Sequence, residues 1–136
     1  MKKLKSLDEI IPSIRLVAKN KIYNFSMKVF ICINDLSKVN KEDYDPEKII
    51  YKKILNQEIL GIFFYSNSVK DLAISSKSDK WLSFVKTKNI PIFACINSLS
   101  SRSLIGKIDP KIKITGLGQL IEGVLLSDKT EVIGRI

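Results

Sequence analysis

Cys95 and Cys32 are the residues of this chain best suited to nucleophilic chemistry, because the sequence contains no histidine. Without an imidazole there is no Ser-His-Asp or Cys-His pair and no imidazole metal site. The two cysteines lie 63 positions apart and form no C-x-x-C pair, which excludes a thioredoxin-like motif and a zinc ribbon. Both are expected to be free thiols in a reducing compartment. Cys95 ends the apolar run "IPIFAC" and is followed by a polar Asn, Ser and Arg segment. A cysteine at a strand end is ordinarily a small buried hydrophobe. The segment after Cys95, however, offers backbone N–H groups at the start of a short helix, and Arg102 follows seven residues later. Both features favour a thiolate, which attacks sulfur without a partner base. Cys32 lies inside "KVFICI" and reads as core.

Other candidate motifs are weaker. "TGLGQL" (115–120) has G-L-G but lacks the third glycine of a dinucleotide fingerprint, so it reads as a tight strand-to-helix turn. Asp35, Glu42, Asp43 and Asp45 show no metal-ligand spacing and read as loop and cap residues. The net charge of +9 raises nucleic acid or an acidic protein as partner classes, but the aromatic residues are too scattered for a base-stacking platform.

The elements that must position Cys95 follow from the hydrophobic pattern. The 136 residues suffice for one domain. "KVFICI" (28–33) and "ILGIFFY" (59–65) are near-continuous apolar runs, as in strands covered on both faces. "IPIFACI" (90–96), "KIKIT" (111–115) and "EVIGRI" (131–136) supply three more strands. Between them, "DPEKIIYKKILN" (45–56), "SDKWLSFVKTKN" (78–89) and "LGQLIEGVLLSD" (117–128) read as helices, and "SLSSRSLIG" (98–106) as a short helix or turn. The alternation predicts an α/β fold: a three-layer α/β/α sandwich with a five-stranded, mainly parallel sheet over residues 27–136. Residues 1–26, net +4, are expected to lie outside the sheet as a basic extension with at most one helix near 12–19. The start "MKKLK" is followed by Asp8, Glu9 and Pro12, so no signal h-region forms, and a cytoplasmic location with no membrane partner is expected.

Three segments carry a resemblance over roughly residues 27–136. "GIFFYSNSV" (61–69) is similar to the second-strand segment of the DsrE/DsrF-like family, and "TGLGQLIEGVLLSDK" (115–129) to its S-G-L-G-x-L-x-E segment. Trp81 precedes Cys95 by fourteen residues, matching the family's helix Trp and reactive Cys, and Arg102 matches an Arg after that Cys. Within the family the chain is most similar to the TusD-type sulfur-relay subunits of tRNA 2-thiolation. It departs from them after the first strand, where "NDLSKVNKEDYDPE" replaces a Gly- and Pro-bearing loop, and at Ser103, where the family has Gly. The resemblance implies a DsrE-like fold and a sulfurtransferase role with Cys95 as persulfide carrier and Arg102 in support. It implies TusB-like and TusC-like subunits in a hetero-oligomer, TusA-like and TusE-like sulfur donor and acceptor proteins, and tRNA reached only indirectly. No cofactor and no metal is implied. The rival readings are a non-catalytic subunit of such a complex and a basic RNA-binding module. Selective alkylation of Cys95 distinguishes the first, and binding that falls steeply with salt distinguishes the second.

Overall fold

The computed structural model describes residues 27–54 and 57–134. The reading of residues 1–26 falls outside the described residues. Strand β1 (Lys28–Ile33) is buried from Val29 onward, as its unbroken apolar run requires. Helix α1 (Pro46–Tyr51) starts where the sequence predicts: the Asp45 carboxylate accepts from the Glu47 N–H at 3.2 Å and Pro46 occupies the first turn. It is shorter than the 45–56 pattern, although Ile54 beyond its end is still buried.

Strand β2 (Glu58–Phe64) leads into a 3-10 turn, Ser66–Ser68, and then into α2 (Val69–Leu72) and α3 (Ser75–Lys88). Helix α2 lies where the sequence pattern shows no periodicity. Asn89 ends α3 in the left-handed conformation (φ 56°, ψ 50°), while Asn89 N–H bonds to the Lys86 carbonyl and Ile90 N–H to the Val85 carbonyl. This paired closure satisfies carbonyls the helix leaves open. Strand β3 (Ile92–Cys95) runs directly into α4 (Ile96–Ser100), then β4 (Lys113–Thr115), α5 (Leu117–Leu126) and β5 (Lys129–Ile133) follow.

The five strands form one sheet in the order β4-β3-β2-β1-β5, and every pairing is parallel. The helix placement follows from that order. Each step from β1 to β4 moves to the next neighbour in the same direction, so right-handed crossovers put α1 to α4 on one face. The return from β4 to β5 crosses the sheet the other way and puts α5 on the opposite face. The two cores agree with this. One unites Ile31, Ile33, Ile62 and Phe64 with Ile50, Leu72, Trp81 and Leu99. The other holds Phe30, Cys32, Phe63 and Phe93, with Leu120 of α5 against it. The fold is the three-layer α/β/α sandwich, and among the described residues its second helical layer is the single helix α5.

Helix α5 is apolar nearly all round, yet Leu117, Ile121, Val124, Leu125 and Leu126 are exposed, Leu125 at 76%. An all-apolar helix belongs in an interior. Its close seat on the sheet depends on Gly123, because a Cβ there would fall 2.3 Å from Phe30 Cε1.

Candidate functional site

Because all strands are parallel, their carboxyl ends share one edge of the sheet, where sites in such folds lie. Cys95 sits at that edge. It is the last residue of β3 and the residue before the first turn of α4, with extended backbone (φ −71°, ψ 123°). The strand alternates, so Ile92 and Ala94 enter the large core while Phe93 and Cys95 turn toward the α5 face. Cys95 is half-buried and packs against the core of Phe30, Cys32, Phe63 and Phe93, as Tyr65 and Leu120 also do. It is a free thiol.

Cys32 faces the same side but lies within the sheet, between Phe63 on β2 and Val132 on β5. It is 4% exposed. Burial pushes its thiol up to about 11 by disfavouring the anion. The two cysteines thus differ as their sequence contexts predict: one enclosed, the other at a strand end.

Arg102 lies near the same edge, where three hydrogen bonds engage its two terminal guanidinium nitrogens. One guanidinium nitrogen donates to the Ser98 carbonyl and to Ser101 Oγ, both at 3.1 Å; the other donates to Asn67 Oδ1 at 3.1 Å. Ser98 Oγ accepts from the Ser66 N–H at 2.8 Å. Ser68 Oγ donates to the Ile33 carbonyl at 2.6 Å, and Ser68 N–H to the Asn34 carbonyl at 2.8 Å. These bonds join the carboxyl ends of β1, β2 and β3. Asp35 belongs to the same edge, where hydrogen bonds from the Ser37 backbone and side chain and from Asn67 hold its carboxyl below the usual range. Arg102 therefore acts on the Cys95 segment by holding α4 against the turn after β2.

Thr115 is the register partner of Cys95 across β3 and β4. Its Oγ1 is buried without a hydrogen-bond partner among the described residues. The "TGLG" stretch forms the β4–α5 turn, with Gly116 before the first turn of the helix. Asp45 is a helix cap and Asp35 closes a turn on Ser37, as the spacing predicts. Among the described residues no cluster of three His, Cys, Asp or Glu side chains is placed to hold a metal ion.

The sequence singles out Trp81 within the helix pattern of 78–89 and by resemblance, but not the network it belongs to. Trp81 is fully buried and donates its indole N–H to Tyr44 Oη at 2.9 Å, while Tyr44 Oη donates to Asp71 Oδ2 at 2.6 Å. Burial, followed by the Asp71 hydrogen bond, pushes the Tyr44 hydroxyl far above its ordinary value. This network ties the 3-10 segment Lys41–Asp43 and the start of α1 to α2 and α3. No local pattern signals it, since its members lie 27 and 37 residues apart.

Among the described residues no helix is long and apolar enough to cross a membrane. No protein-family model and no curated protein matches the chain. Among solved structures, the chain is similar to the ychN protein from E. coli, with a TM-score of 0.61 and 16% identity over 79% of this chain and 99% of that one. At that identity the likeness speaks for the fold alone, a five-stranded parallel sheet with its helices.

Proposed function

We propose that the protein is a sulfur-relay subunit in which Cys95 accepts persulfide sulfur from a donor protein and passes it to an acceptor cysteine. In the first step the Cys95 thiolate attacks the terminal sulfur of the donor persulfide. A sulfur–sulfur bond forms at Cys95, the donor's breaks, and the electron pair leaves on the donor thiolate. The second step repeats this at the Cys95 persulfide, so no net oxidation occurs and no external oxidant is needed.

The observation that carries the reading is the contrast between the two thiols. Cys95 is half-buried at the carboxyl edge of the sheet, whereas Cys32 is enclosed by the second core. The parallel α/β sandwich, the fold that the DsrE-like resemblance implies, supports it, and the similarity of residues 61–69, 81–102 and 115–129 to TusD-type subunits extends it toward 2-thiolation of a tRNA wobble uridine. The exposed aliphatic stripe of α5 supports assembly with TusB-like and TusC-like subunits, since such a face gains by leaving water. TusA-like and TusE-like proteins then serve as donor and acceptor, and the tRNA is served at a distance.

The test is intact mass after incubation with a protein persulfide donor. Cys95→Ser removes the one-sulfur adduct, and Cys32→Ser retains it. If the Cys95 variant gains sulfur at the wild-type rate, the carrier role is wrong. A protein that assembles with its partners while Cys95 resists both sulfur and alkylation is the non-catalytic subunit instead.

A further inference from the structure

A groove of about 680 Å³ opens at the opposite end of β3 from Cys95. Its apolar surface comes from Leu82 and Val85 of α3 and from Ile90, Pro91 and Ile92 at the start of β3. Lys86, Lys111 and Lys113 line it as well, all three exposed and none ion-paired among the described residues. No carboxylate lines it. The groove between α1 and α3 is different: Glu42, Asp45, Glu47 and Asp79 stand among its lysines and compensate their charge. Strand β4, which contributes Lys113, is an edge strand of three residues, and among the described residues no strand pairs with its outer side.

We infer that this groove docks an acidic, partly apolar segment of a partner protein, laid along the β4 edge. Aliphatic side chains of that segment leave water against Leu82 and Pro91, over the buried Val85 and Ile92, while its carboxylates meet the three lysines. Charge complementarity fixes the sign of the occupant and steers its approach. An exposed strand edge offers main-chain hydrogen bonds to an extended segment. The lining favours a peptide over RNA, because it presents no aromatic ring on which a base could stack. The inference is independent of the thiol's role, since groove and thiol lie at opposite ends of the sheet.

The test uses the full chain and a short fluorescein-labelled peptide of alternating glutamate and valine, followed by fluorescence anisotropy. Replacing Lys86, Lys111 and Lys113 together by alanine weakens binding about tenfold or more, the sum expected of three exposed ion pairs. Replacing Lys41, Lys48 and Lys70, equally exposed and equal in charge, leaves binding close to wild type. Serine in place of valine in the peptide also weakens binding, and Cys95→Ser does not. Equal loss in both lysine triples would mean that the peptide follows net charge, and the inference would fall. It would fall too if the groove triple bound normally, or if oligouridylate displaced the peptide from the groove at lower concentration than an unlabelled copy of the peptide.

Discussion

Arg102 donates to Asn67 Oδ1 at 3.1 Å, so the residue seven positions beyond Cys95 is fastened to the turn that follows the neighbouring strand. Through this bond and the one to the Ser98 carbonyl, the start of α4 is held where Cys95 leaves the sheet. On the proposed relay reading, Arg102 is thereby a positioning residue for the thiol. Arg102→Ala is expected to lower stability by less than about 1 kcal/mol, because the bonds are partly solvated. It should slow alkylation of Cys95 by iodoacetamide severalfold, with Arg102→Lys intermediate because an ammonium cannot span both acceptors in one plane. An unchanged alkylation rate in Arg102→Ala would remove the positioning role.

Gly123 and Gly118 should respond to alanine with opposite signs. Alanine is ordinarily better than glycine in a helix by about 1 kcal/mol. At Gly118 a Cβ meets nothing within 4 Å, so Gly118→Ala should raise the melting temperature by a few degrees. At Gly123 the Cβ would lie 2.3 Å from a ring atom of Phe30, which is itself 2% exposed and cannot swing away. Gly123→Ala should therefore destabilise, by about 1–3 kcal/mol of overpacking less the helix gain. Denaturant unfolding of the two variants reads the difference.

Tyr44→Phe removes one oxygen and leaves two buried partners without it. The Trp81 indole N–H loses its acceptor and Asp71 loses a donor. A cost of about 2–3 kcal/mol is expected, since the penalty for an unpaired buried polar group exceeds the worth of the bond itself. A double variant that also replaces Asp71 by Ala should lose less than the sum of the two single changes, as measured by a double-mutant cycle.

The raised Cys32 thiol makes a prediction about alkaline stability. Its folded value, about 11, lies above the ordinary thiol value of about 9.0, so the folded state holds the proton more tightly than the unfolded chain. The stabilisation is fully present below pH 9 and is lost as pH rises from 9 through about 11. Cys32→Ala should flatten that part of the stability–pH curve relative to wild type, measured by urea unfolding under the same buffers. Parallel curves would show that Cys32 does not contribute the slope.

The strands were legible because strands covered on both faces must be apolar almost throughout, and "KVFICI", "ILGIFFY" and "IPIFAC" satisfy that condition locally. The start of α1 was legible for the same reason of locality: Asp45 and Pro46 act within one turn. Helix α2 was not, since four residues are too few to show a period. The short helix after Cys95 was expected over residues 98–106, but it begins at Ile96, directly from the strand. The position of Cys95 at a strand end was readable from the switch of "IPIFAC" to polar residues, while the side chain's turn toward the α5 face depends on the strand's phase within the sheet.

By itself the sequence determined a parallel α/β sheet, two free thiols in unlike surroundings and the absence of imidazole chemistry, because each depends on residue type and short-range pattern. Only the tertiary structure decided that the Arg102 guanidinium is engaged by Asn67, that Trp81 closes a buried chain through Tyr44 to Asp71, and that α5 lies on the face of the sheet opposite α1 to α4. These are relations between residues 27 to 37 positions apart, or consequences of strand order. Hydrophobic periodicity is set by a residue's own neighbours along the chain, whereas a hydrogen-bond partner or an uncovered helix face is set by which strand lies beside which.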